Sequence, residues 1–144
     1  MGVTNIVITG VGDFDDYEAF SSLLDAELKR LAQVKGVTPN GMRIVTGDWG
    51  HVEKMAVTFA RSKRFPLRVF PALWNLNGKR AVSNRNFLMV MYAKGRGNFL
   101  IVFLDERVRT TNRATYAMMD IARMYGMEVI IVDVAEFVEQ QVIG

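Results

Sequence analysis

The chain predicts a three-layer α/β domain built on a five-stranded parallel sheet, and two observations carry that prediction. Short β-branched runs alternate along the sequence with longer stretches of helical periodicity, as in strands joined by helical crossovers. The clearest of those runs, Leu100-Ile-Val-Phe-Leu104, is continuously apolar, as a strand covered on both faces requires.

Val3–Thr9 reads as the first strand, and Gly10-Val11-Gly12 follows as a turn able to adopt positive φ. Asp13, Asp15 and Asp16 are N-cap candidates. Phe20, Leu23, Leu24, Leu28 and Leu31 recur at helical spacing, so residues of about 16 to 34 should form an amphipathic helix stopped by Gly36 and Pro39. The unit repeats with Met42–Thr46 as strand, Gly47–His51 as loop and Val52–Lys63 as helix, with Met55, Ala56, Phe59 and Ala60 inward. Leu67–Phe70 is a short third strand, and Pro71–Ala81 reads as a long polar loop. Val82–Lys94 then shows helical periodicity through Phe87, Leu88, Met91 and Tyr92, with Ser83 and Asn84 as cap candidates. The fourth strand ends in Asp105, Thr111–Tyr125 is helical with Gly126 as its C′ glycine, and Glu128–Val132 is the fifth strand. Residues 134–144 form a tail, expected to place a short helix over an edge.

At 144 residues the chain suits one domain spanning 1–144. No apolar run approaches the roughly 18 residues of a membrane span, so no membrane partner is expected. With no cysteine, disulfides and thiolate chemistry are excluded. No basic and apolar leader precedes the first strand, which points to a cytoplasmic location. Eighteen basic against fifteen acidic residues give a net charge of +3, compatible with anionic ligands but too mild to imply nucleic acid. The one dense basic cluster, Arg61-Ser62-Lys63-Arg64, suits a helix C-terminus.

Right-handed crossovers with strand order 3-2-1-4-5 make the domain Rossmann-like, with a crevice above the carboxyl ends of strands one and four. The loops Gly10–Asp16 and Asp105–Asn112 should face each other there, with Gly47–His51 alongside. Gly10 and Gly12 supply two thirds of a dinucleotide fingerprint, but Asp15 stands where the third glycine belongs. Their turn either lets amides approach a phosphate or sugar, with Asp13 beside it, or is simply tight. In Gly47-Asp48-Trp49-Gly50-His51-Val52-Glu53, Trp49 suits base stacking, and His51 suits phosphate donation or acid–base work. Asp48, His51 and Glu53 lack a recognised ligand spacing, so no metal is expected. Asn84 and Arg85, next to Asn86, suit an anion. In the last loop, Arg107, Arg109, Thr110, Thr111 and Asn112 offer guanidinium forks, hydroxyls and helix-start amides for a phosphate.

These loops, in this order, resemble the SLOG superfamily, in particular its small YpsA-related single-domain proteins of bacteria and phages. That superfamily shares a Rossmann-like fold with LOG-type phosphoribohydrolases and the DNA-processing protein DprA. Thr9-Gly10-Val11-Gly12-Asp13-Phe14 keeps the glycine and Asp-Phe of the family's first motif, with Gly12 in place of arginine. Thr46–Glu53 keeps the first glycine and acidic end of the second, and Arg80–Asn84 matches the third at its asparagine, with Arg85 one place late. Arg107–Thr111 keeps a threonine of the fourth but lacks its glycine. The Pro-Gly-Gly-x-Gly-Thr signature of the phosphoribohydrolase branch is absent.

The convergence of three strand-end loops carrying arginine, threonine and an aromatic points to binding of a nucleotide or nucleotide derivative, as a sensor, sequestering or accessory protein without catalysis or cofactor, while the resemblance implies chiefly the fold and an assembly of two or more copies. The alternative is N-glycosidic hydrolysis of a nucleotide, with Glu53 or Asp105 stabilising an oxocarbenium-like ribose and Thr110-Thr111 holding phosphate. A nucleic-acid-binding role ranks last, because aromatic residues do not interleave with the Arg61–Arg64 cluster.

Overall fold

A computed structural model describes residues 2–107 and 113–138. The strands are β1 (Thr4–Gly10), β2 (Met42–Gly47), β3 (Leu67–Phe70), β4 (Phe99–Leu104) and β5 (Glu128–Asp133). All neighbouring strands pair in parallel, in the order β3-β2-β1-β4-β5. The helices are α1 (Tyr17–Lys35), α2 (His51–Ser62), the single turn α3 (Trp74–Asn77), α4 (Ala81–Ala93) and α5 (Arg113–Met124). Among the described residues no helix is long and apolar enough to cross a membrane.

Side chains on a strand alternate between faces, and both faces here are apolar. Ile6, Ile8, Ile44, Ile101 and Phe103 meet Phe20, Leu24 and Leu31 of α1 and Phe59 of α2. Val7, Val45, Leu100 and Val102 meet Met89 and Val90 of α4 and Met118 and Met119 of α5. The helices change face between β1 and β4, so the fold is Rossmann-like, with its topological switch point at those strands' carboxyl ends.

Caps set the helix ends. Asp16 occupies the N-cap of α1 and accepts from the Ala19 amide at 3.0 Å. At the far end of α2, Phe65 N donates to the Ala60 carbonyl and Arg64 N to that of Arg61, a Schellman closure that normally holds glycine. Arg64 fills it with φ +60°, where a Cβ costs about 1 kcal/mol. Arg64→Gly should therefore raise stability by about 0.5–1 kcal/mol in urea unfolding, and a loss of stability would contradict this account of the cap.

Three sequence expectations change. Pro71–Ala81 is not an open loop: α3 and a 3-10 turn over Gly78–Arg80 occupy it. This carries α4 back to Ala81, so Ser83 and Asn84 lie inside the helix and cap nothing. The apolar stripe of α4 also faces outward: Phe87, Leu88 and Tyr92 are exposed, while Ala81, Arg85, Asn86, Met89, Val90 and Ala93 are buried. The tail turns at Ala135–Phe137 and lays Phe137 against Phe14; residues 139–144 lie outside the described part.

Candidate functional site

At the carboxyl end of β2 the backbone makes room for a buried ion pair. Glu53, in the first turn of α2, and Arg85, in the second turn of α4, come from helices on opposite faces of the sheet. They meet over Gly47, with Arg85 Nη1 donating to Glu53 Oε1 at 2.7 Å. A Cβ at Gly47 would overlap the Arg85 guanidinium and stand 2.5 Å from Glu53 Oε1, so the glycine is required by this pair. Thr9 Oγ1 donates to Glu53 Oε2 at 3.0 Å, the Trp49 amide donates to Oε1 at 2.9 Å, and Arg85 Nε donates to Asn86 Oδ1 at 3.0 Å. Burial pushes the Glu53 carboxyl above its ordinary 4.5, while the charge of Arg85 and the hydrogen bonds from Trp49, Arg85 and Thr9 pull it back.

Gly10 has a packing reason of its own. A Cβ there would overlap Val52 of α2 and stand 2.7 Å from the Phe103 carbonyl oxygen, which accepts from the Val11 amide at 3.0 Å. The glycine thus seats α2 and β4 against β1.

Around this core runs an exposed rim. Asp48 Oδ1 accepts from the Ala72 amide at 3.0 Å, tying the loop after β2 to the loop after β3. That tie sets Trp74 beside Trp49, ring centroids 4.8 Å apart and inclined by 60°. The two indoles remain 55% and 43% exposed, although tryptophan is on average a highly buried residue. Gly50 is the N-cap of α2, with φ +87° and no side-chain hydrogen bond to the first turn. Gly50 thus offers the amides beyond it no side-chain acceptor, and His51 stands exposed among them.

Other candidates are distributed differently. Gly12 and Asp13 are exposed in the turn after β1, and Asn84 is exposed on α4. Expected as an anion contact, Arg85 is instead 3% exposed and committed to Glu53. Glu53, a candidate for oxocarbenium stabilisation, is 1% exposed. Asp105 is gripped by Arg107 through Nε to Oδ1 at 3.0 Å and Nη2 to Oδ2 at 2.8 Å. Those hydrogen bonds hold the Asp105 carboxyl below its ordinary 3.8. Arg109, Thr110, Thr111 and Asn112 lie outside the described residues. Among those described, no group of three His, Asp or Glu side chains is placed to hold a metal ion.

Sequence reasoning missed Trp74 and Thr9. Trp74 carried a usable signal, since it and Trp49 are the chain's two tryptophans and each follows a strand end. Thr9 carried none, because its role appears only when β1 and α2 pack together. Comparisons with protein-family models, curated proteins and solved structures find no match to this chain.

Proposed function

We infer that the rim binds a nucleotide or nucleotide derivative without transforming it. The observation that carries this reading is the exposed Trp49–Trp74 pair beside the open N-terminus of α2. An indole face accepts a base, and unsatisfied helix-start amides accept a phosphate. The loop order shared with SLOG proteins supports the same ligand class. A binding role fits better than N-glycosidic hydrolysis, which needs a carboxylate at the anomeric carbon. Glu53 is buried in its ion pair and Asp105 is held by Arg107.

Calorimetry against nucleoside mono- and diphosphates, ADP-ribose derivatives and cyclic nucleotides tests the reading. At least one should bind, and Trp49→Ala or Trp74→Ala should weaken it about tenfold or more, since stacking one base contributes roughly 1–3 kcal/mol. Silence across the panel, or binding indifferent to both substitutions, would reject it. Release of free base during incubation would instead establish the hydrolase.

A further inference from the structure

Residues 54–104 contain ten lysines and arginines and not one aspartate or glutamate, whereas the rest of the chain carries eight basic against fifteen acidic residues. The net charge of +3 therefore conceals a chain divided into parts of +10 and −7. The basic part runs from α2 through β3, α3 and α4 to the interior strand β4, and it includes the β3 edge of the sheet and α4 on one sheet face. Of its ten cations, Arg85 is neutralised by Glu53.

On this edge guanidinium and aromatic groups interleave. Arg68 of β3 lies opposite Val45 in register, and Arg43 sits two residues before Val45 on β2, so both arginines share the face that α4 covers. Tyr92 of α4 reaches them: Arg43 Nη1 donates to its hydroxyl at 2.7 Å. The Arg68 guanidinium carbon lies 4.7 Å from the Phe70 ring centroid and 5.8 Å from that of Tyr92. Phe70 and Tyr92 meet edge to face at 5.4 Å. Arg68 and Tyr92 are exposed, and among the described residues neither arginine is paired with a carboxylate.

We propose that this face, Arg43, Arg68, Phe70 and Tyr92, binds single-stranded nucleic acid. Deterring edge-to-edge pairing needs only a charge on the strand. Here two guanidiniums are held against aromatic rings with donor edges left over, which is the chemistry that pairs phosphates and stacks unpaired bases. An acidic protein would be met by charge alone, and a duplex keeps its bases stacked inside, out of reach of these planes. The face shares no residue with the rim, and the proposal does not rest on the reading of the rim.

Fluorescence anisotropy with labelled 12-mers of oligo-U and oligo-dT, and a duplex of equal length, tests the proposal on the full chain. At 50 mM salt at least one single strand should bind, and at least tenfold more tightly than the duplex; which of the two binds better identifies RNA or DNA as the preferred strand. Arg43→Ala/Arg68→Ala should lose tenfold or more in affinity. Its log–log salt slope should fall by about 1.4, at roughly 0.7 per phosphate contact on a single strand. Arg68→Ala alone, at an exposed position, guards against a folding artefact and should lose at least threefold. Mononucleotide binding at the rim should survive both substitutions. Absence of single-strand binding, equal affinity for duplex, or indifference to Arg68→Ala would overturn the proposal.

Discussion

Replacing Arg85 with methionine should lower stability by about 3–5 kcal/mol at neutral pH, because it leaves a carboxylate buried without its partner. The loss should shrink as pH falls. Glu53 already titrates above its ordinary 4.5 because burial disfavours its charge. The folded state therefore binds more protons than the unfolded state from about that pH upward, and stability declines there as pH rises. Below 4.5 both states are protonated and the contribution of this group is fully present. Without Arg85 the carboxyl rises further, so the window of decline widens upward. Urea unfolding of wild type and Arg85→Met between pH 4 and 8 should show a gap that widens with pH. A gap independent of pH would mean that Glu53 is not the group left unpaired. Glu53→Leu/Arg85→Met should recover most of the stability, since a buried pair can often be replaced by apolar side chains at little cost.

Gly47→Ala should produce a similar loss through one added carbon. Its Cβ would occupy space now held by the Arg85 guanidinium and approach Glu53 Oε1 to 2.5 Å, forcing the pair apart. A loss of about 3 kcal/mol is expected. For a chain of this size that lowers Tm by roughly 10 °C, at about 3 °C per kcal/mol. The decisive comparison places Gly47→Ala in the Glu53→Leu/Arg85→Met background, where the loss should fall below about half. Gly10→Ala is the contrast: its Cβ meets Val52 and the Phe103 carbonyl, so removing the ion pair should leave its cost unchanged. Equal losses for Gly47→Ala in both backgrounds would place the strain elsewhere.

These two glycines mark where sequence reading stops. Gly10 and Gly47 end β1 and β2, where glycine conventionally suggests backbone approaching a ligand. The structure gives each a protein neighbour instead, α2 at Gly10 and the ion pair at Gly47. Glu53 and Arg85 are 32 residues apart, on helices that no local pattern relates. Arg85 was legible as a cation near the crevice, but its partner was not. Likewise Arg43, Arg68 and Tyr92 are far apart in sequence, so a search for aromatics beside the Arg61–Arg64 cluster could not find them. The uneven charge of residues 54–104 was available to simple counting, although only the packing of β2, β3 and α4 shows that Arg68 from that stretch shares a surface with Arg43 from outside it.

By itself the sequence determined the five strands and their parallel arrangement, because runs buried on both faces and right-handed crossovers leave few topologies; it made the order β3-β2-β1-β4-β5 an expectation, which the structure establishes. It also located the rim loops and Trp49. Tertiary structure alone decided which polar residues stay available to a ligand. Hydrophobic periodicity records burial averaged over a helix face. Whether Glu53 or Arg85 keeps a free polar edge depends on a partner brought within 3 Å by another element. The outward turn of Phe87, Leu88 and Tyr92 has the same origin: α4 carries apolar residues on more than one side, and the side that packs was chosen by the sheet beneath it.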